Sequence, residues 1–342
     1  MSRIAILGAG AWGTALSIVL TRASRHEVRL WAYEPEVRGS ITAHRENSQY
    51  LPGLKIPAGV APTNDYAEAL DGAKIVVSVM PTGHCRRVLE QIVPHLNPST
   101  LLVSASKGLE DQSLLRMTEV IASVVRDRAG FAPRVGALSG PSFAREVGRG
   151  DPTAITIASS DADLAQVIQQ EFSDPAFRIY TNDDVIGVEL GGALKNVIAI
   201  AAGLCAGLEL GHNSVAALIT RGLAEITRLA VACGARPETL AGLAGLGDLV
   251  LTCTGSLSRN RSVGVELGRG GNLPDILAGM HGTVAEGIFT TQAAVGLARR
   301  HGVEIPITQQ MHEILQHAKS PRTAIQELMT RRSKSELELT RS

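Results

Sequence analysis

Six residues near the amino terminus, Gly8-Ala9-Gly10-Ala11-Trp12-Gly13, constrain the fold of this chain more than any other stretch. They follow a short β-rich apolar run, Arg3-Ile4-Ala5-Ile6-Leu7, and open a segment from Trp12 to Leu20 with helical spacing of its apolar residues. Alone, a GxGxxG pattern is equally a structural turn. Between a strand and a helix it gains meaning: Gly8 permits the tight turn, Gly10 lets a pyrophosphate approach the backbone, and Gly13 lets helix and strand pack closely. The helix N-terminus adds unpaired N–H groups and a partial positive charge. The turn therefore predicts dinucleotide binding.

Further strands are expected at Val28-Arg29-Leu30-Trp31, Lys74 to Val79 and Leu101 to Ala105, with helix-capable sequence between them. Candidates at Arg134 to Leu138, Ala154 to Ala158 and Phe177 to Tyr180 follow, with a helix near Leu164 to Phe172. This alternation predicts an α/β fold, a Rossmann-like, doubly wound, mostly parallel sheet. After Gly187, alanine, leucine and helical spacing dominate to Ala318. A chain of 342 residues is long for one domain. The expected division is a dinucleotide-binding domain over 1–187, an all-helical substrate and catalytic domain over 188–330, and a flexible charged tail over 331–342.

Lys plus Arg and Asp plus Glu each number 33, so no global field draws nucleic acid or an anionic membrane, although small charged metabolites need only local charge. The apolar stretch from Val188 to Leu208 carries Glu189 and Lys195 and fits a buried helix better than a membrane span. The amino-terminal apolar run is broken by Gly8, Gly10 and Gly13, unlike a signal peptide. Cys85, Cys205, Cys233 and Cys253 form no CxxC pair and read as reduced thiols of a soluble, cytoplasmic protein, with neither disulfide nor zinc expected.

An acid about 20 residues past the glycines binds the ribose hydroxyls of NAD in such folds. Glu34 stands near that place, beside Tyr33; it is either that acid or a solvated turn residue, and Arg38 is close enough to serve the extra phosphate of NADP. NAD or NADP both remain open. Lys107, at a strand end, is a ligand residue or an ordinary surface lysine. Lys195 lies in a very apolar helix, where it must snorkel to solvent or meet polar partners; desolvation suits a lysine to acid/base work near neutral pH. Asp248, in a glycine-rich apolar segment, either caps a turn or partners Lys195 or a substrate hydroxyl. Ser258-Arg259-Asn260 offers a guanidinium fork and neutral donors suited to a phosphate monoester.

Gly8 to Gly13, Lys107-Gly108-Leu109-Glu110, Ser139-Gly140-Pro141-Ser142-Phe143-Ala144, Gly191 to Val197, Ala244-Gly245-Leu246-Gly247-Asp248-Leu249 and Ser258-Arg259-Asn260-Arg261 together closely resemble bacterial NAD(P)-dependent sn-glycerol-3-phosphate dehydrogenases, in order to about Leu328. The resemblance implies reversible hydride transfer between dihydroxyacetone phosphate and sn-glycerol 3-phosphate, feeding glycerophospholipid synthesis, with no metal required. It implies Lys195 as catalytic acid/base and Asp248 as its orienting partner. Lys107, Gly140, Ser142, Asn196 and Thr252 would contact or neighbour the substrate, with Ser258, Arg259 and Asn260 on its phosphate side. Ala11, Trp12, Tyr33, Lys107, Ala144, Arg259, Val284 and Glu286 would line the cofactor. Ala11 departs from the serine common at that turn. Two rivals stand beside this reading: a related two-domain dehydrogenase acting on a 3-hydroxy acid, a sugar-acid phosphate or a ketopantoate-like substrate, and a nucleotide-sensing protein without chemistry. Oligomeric state is not legible, a homodimer being one option.

Overall fold

Short apolar runs such as Ile4-Ala5-Ile6-Leu7 are buried at every residue, the mark of parallel strands covered on both faces. The structure, a computed structural model, describes residues 2–22, 26–280, 284–333 and 335–336. The chain divides into two compact units, Met1–Lys107 with Arg116–Val185, and Gly108–Leu115 with Ile186–Ser342.

The first unit is built on eight strands: β1 (Ser2–Leu7), β2 (His26–Trp31), β3 (Val60–Thr63), β4 (Ile75–Ser78), β5 (Leu101–Ser104), β6 (Arg134–Ser139), β7 (Thr153–Ala158) and β8 (Phe177–Asn182). They form one sheet in the order β3-β2-β1-β4-β5-β6-β7-β8. The first six run parallel, β7 is antiparallel to β6, and β8 is parallel to β7. The strand order reverses between β1 and β4, where open sheets of this kind bind ligands beyond the carboxyl ends of their strands. Crossing segments carry α1 (Ala11–Thr21), α2 (Pro35–His44), α3 (Tyr66–Leu70), α4 (Thr82–Ile92), α5 (Met117–Ala129), α6 (Ala144–Arg149) and α7 (Ala162–Phe172). No strand is expected from the sequence at β3. Its Val-Ala-Pro-Thr sequence contains Pro62, which fits only where one side of a strand needs no donor, and β3 is the edge of the sheet.

The second unit is helical: α8 (Val185–Gly207), α9 (His212–Ala232), α10 (Pro237–Leu240), α11 (Asp248–Thr254), α12 (Arg259–Gly268), α13 (Leu273–Ala278), α14 (Glu286–His301), α15 (Pro306–His317) and α16 (Pro321–Met329). A π-helical turn, Leu243–Gly247, leads directly into α11. Helix α8 is buried without interruption from Gly187 to Cys205. It is long and apolar enough to cross a membrane, yet 89% of its most apolar window is covered within the fold, as in a core helix. Its glycines explain how it packs. A Cβ on Gly191 would stand 2.7 Å from the carbonyl oxygen of Ala244, and one on Gly207 would stand 2.9 Å from Gly268 Cα, so α8 meets the π turn and α12 backbone to backbone. Of the expected tail, residues 334 and 337–342 lie outside the described residues; Arg331 to Ser333, Glu336 and the serine at 335 follow α16 without helix.

Candidate functional site

The glycine turn divides its tasks among three residues. Gly8 adopts φ +122°, closed to most side chains; its N–H donates to Trp31 O at 3.1 Å, and a Cβ there would stand 2.5 Å from Val79 O. Gly13 lies against the carbonyl of Gly8, too close for any Cβ. Gly10 is the N-cap of α1, and a Cβ on it would meet nothing within 4 Å. The turn thus presents open backbone at the uncapped N-terminus of an eleven-residue helix with no acid in its first turn. A pyrophosphate fits that donor set. Asn47, fully buried just after the end of α2, pins the turn by donating from Nδ2 to Ala9 O and to Thr14 Oγ1, both at 2.8 Å. Nothing in the spacing of Asn47 announces this role.

Beyond β2, Tyr33 is exposed while Glu34 is half-buried, accepting from the Tyr50 hydroxyl at 2.9 Å. The carboxylate is therefore held in place rather than merely solvated. Arg38, on α2, is exposed. At the ends of β5 and β6, Lys107 Nζ and Ser142 Oγ both donate to the carbonyl of Gly140, each at 2.9 Å. Gly140 sits at φ +142°, with space for a Cβ denied by Ile155 Cα at 2.9 Å. One glycine carbonyl thus gathers three of the expected substrate residues. Ala144 opens α6 just beyond them.

In the helical unit, Lys195 is 6% exposed and Asp248 fully buried. Lys195 Nζ donates to Asp248 Oδ1 at 2.5 Å and to Thr252 Oγ1 at 2.7 Å. The Thr252 hydroxyl donates in turn to Asp248 O at 2.6 Å, one helical turn back along α11. A hydroxyl has one hydrogen, so toward Lys195 its oxygen accepts. Gly191 and the π turn make the arrangement possible by letting α8 lie against the start of α11. Lys195 does not snorkel: it meets polar partners, and Asp248 is one of them.

The next residue, Asn196, belongs to a second buried chain of bonds. Asn260 Nδ2 donates to Asn196 Oδ1 at 3.0 Å, and the Gly287 N–H donates to Asn260 Oδ1 at 3.0 Å. The Asn260 amide therefore bonds at both of its ends to α8 and α14. Ser258 is the N-cap of α12, its Oγ accepting from the Arg261 N–H at 3.2 Å, and exposed Arg259 is the first residue of that helix. Val284 and Glu286 are half-buried at the start of α14. Sequence reasoning missed Gly287, whose only signal is a glycine in the first turn of a helix: a Cβ there would stand 2.7 Å from Asn196 O. Cys253, beside Lys195 and Asp248, is no nucleophile, since burial pushes its thiol up to about 12.

A doubly wound sheet with an open glycine turn, and a helical unit holding a lysine–aspartate pair away from water, define a nicotinamide-dependent oxidoreductase of two units. The comparisons carry this further. The family described as NAD-dependent glycerol-3-phosphate dehydrogenase matches with its N-terminal part over residues 3–165 and its C-terminal part over 184–326. The chain is 67% identical to glycerol-3-phosphate dehydrogenase [NAD(P)+] of Koribacter versatilis, covering 98% of this chain and 99% of that one. It is 58% identical to the enzyme of the same name from Acidobacterium capsulatum, over 98% and 100%. The crystal structure of glycerol-3-phosphate dehydrogenase from Coxiella burnetii is similar with a TM-score of 0.91 at 41% identity, covering 96% and 99% of the two chains. The chain belongs to the NAD-dependent glycerol-3-phosphate dehydrogenase family.

Proposed function

We propose that the protein catalyses reversible hydride transfer between NAD(P)H and dihydroxyacetone phosphate, giving sn-glycerol 3-phosphate. The observation that carries this reading is the buried Lys195–Asp248–Thr252 group, set within the residues that match the family's C-terminal part. When bound, the reduced nicotinamide would supply hydride to C2 of the ketone. Lys195 Nζ gives a proton to the oxygen on C2 as negative charge gathers there, and takes it back in the reverse direction. Asp248, fully buried, answers the ammonium charge of Lys195, and Thr252 fixes the direction of Nζ.

Lys107 and Ser142, joined at the Gly140 carbonyl, serve as substrate contacts, with Asn196 next to the acid/base. Ser258, Arg259 and Asn260 receive the phosphate. In support, they occupy the cap and first residues of α12, where backbone N–H groups point out of the helix. Gly8, Gly10, Ala11, Trp12 and Gly13 hold the pyrophosphate side of the cofactor, and Tyr33, Ala144, Val284 and Glu286 line the rest. A held carboxylate at Glu34 works against a 2′-phosphate, whereas Arg38 favours one. Residues 1–187 carry the glycine turn for the dinucleotide and, at Lys107, Gly140 and Ser142, substrate contacts; residues 188–330 carry the acid/base and the phosphate contacts and, at Val284 and Glu286, part of the cofactor lining, in a cytoplasmic enzyme that feeds glycerophospholipid synthesis.

The test is loss of reduced-nicotinamide absorbance on adding dihydroxyacetone phosphate, with NADH and NADPH in parallel. Oxidation of either is expected; binding of both cofactors without oxidation would return the substrate to the rival dehydrogenases or the sensor. Lys195→Ala should lower kcat by about 10²–10⁴, the usual worth of a positioned acid/base, while NADH still binds. An unchanged kcat would remove Lys195 from the chemistry.

A further inference from the structure

The carboxy-terminal half of α15 gathers metal-ligating side chains that no step above uses. Gln309, Glu313 and His317 fall four residues apart in one column along the helix, and His312 stands beside Glu313. One ligand atom from each of His312, Glu313 and His317 lies within 4.8 Å of the other two. His312 Nδ1 is 3.9 Å from Glu313 Oε1, and the two imidazoles meet edge to face with centroids 5.5 Å apart. In a tetrahedral zinc shell with bonds of about 2.0–2.1 Å, neighbouring ligand atoms stand about 3.4 Å apart. The required closure is small, and it falls on exposed His317 and half-buried Glu313 rather than on the more covered His312.

A second observation points the same way. His312 Nδ1 is buried and has no hydrogen-bond partner among the described residues, a costly condition for a ring nitrogen unless a cation or a donor meets it. Glu313 Oε1 accepts from Gln309 Nε2 at 3.0 Å, the kind of outer bond that orients a ligating carboxylate. The ammonium of Lys319, the first charged residue after His317 in the chain, is engaged with Glu327 at 2.5 Å.

We propose that His312, Glu313 and His317 form a three-ligand site for a divalent transition-metal ion of the zinc type. Two neutral imidazoles and one carboxylate suit such an ion, whereas Mg²⁺ and Ca²⁺ demand shells of oxygen. Water completes the coordination. The ion clips the last turn of α15, which ends at Ala318 in the left-handed conformation with φ 52°, to the helix body. The expectation of no zinc rested on the four cysteines, and this group uses none of them. Because α15 supplies no residue of the Lys195 group, the clip is structural and goes beyond the proposed activity.

Equilibrium dialysis of the full-length, tag-free protein against micromolar ZnCl₂, followed by metal analysis, should retain one equivalent in the wild type. His317→Ala should abolish it and Glu313→Gln should weaken it at least tenfold, with circular dichroism and turnover unchanged in both. Co²⁺ as a second probe should give a visible d–d band of four- or five-coordinate intensity that disappears in His317→Ala. No retained equivalent in the wild type, or undiminished zinc and an undiminished cobalt band in both variants, would overturn the proposal.

Discussion

A lysine inside a protein survives only where something answers its charge, and Asp248 answers Lys195 at 2.5 Å. Thr252 has the subtler task. Its hydrogen is spent on the Asp248 carbonyl, so its oxygen is a fixed acceptor for Nζ. Thr252→Val keeps the shape, removes that acceptor, and leaves a buried N–H unmet, a loss of about 1–3 kcal/mol. We expect kcat to fall by roughly tenfold or more, KM for NADH to hold, and Thr252→Ser to restore the rate. Equal losses in the valine and serine variants would mean the methyl matters and the hydroxyl does not. Lys195 and Asp248 were legible in the sequence because ionisable residues stand out in apolar runs. The bonds of Thr252, Asn260 and Gly287 were not, since they join residues up to 64 positions apart through side chains that are ordinary where they stand.

At the scale of elements, the most exacting contact is between α9 and α15. Glu225, buried on α9, accepts from the N–H groups of Ile307 and Thr308 at 2.8 Å each, capping the N-terminus of α15 from outside the helix. Two effects oppose each other: the helix end favours a carboxylate, and burial penalises one. Burial dominates, holding the Glu225 carboxyl above its ordinary 4.5. The native state then keeps a proton that the unfolded chain loses above 4.5, so stability contributed by Glu225 declines as pH rises through that window. Glu225→Gln cannot ionise. It should be less stable than wild type near pH 4.5, and the gap in urea midpoint should narrow toward neutral pH. A gap that widens would show the helix end winning. Elements differ in how well the sequence announces them. The β1 turn and α1 were readable because each glycine has a separate steric task, and α8 because its apolar run is continuous. The four-residue β3 hid behind Pro62, and the π turn at Leu243–Gly247 has no periodicity to betray it; the antiparallel direction of β7 depends on pairing, which local pattern does not encode.

Among the described residues, one large apolar core lies against one face of the sheet and takes alternate strand residues, Ile4 and Ile6, Ile75 and Val77, Phe177 and Ile179. Leu7, Val76 and Leu102, with Leu89 of α4 and Val120 of α5, are buried outside it. Another core surrounds α8, from Leu190 to Ala324. The cysteines record how closed these cores are. Cys85 is buried beside Ser78 and Ser106, Cys205 and Cys253 are buried in the helical unit, and Cys233 is half-exposed at the end of α9. Thiolate is the reactive form, and burial raises Cys205 above the ordinary thiol range and Cys253 to about 12. At pH 8 a thiol at that value is ionised in roughly one molecule in 10⁴, and reagent must still reach it. A disulfide reagent such as Ellman's should therefore titrate at most one thiol rapidly in the native protein, Cys233, and all four in denaturant. Cys233→Ser should remove the rapid phase and leave three on unfolding. Rapid reaction of Cys205 or Cys253 in the native state would instead mean that the helices around Lys195 open on the timescale of the reagent, and a site that depends on excluding water could not then hold its lysine and aspartate as described.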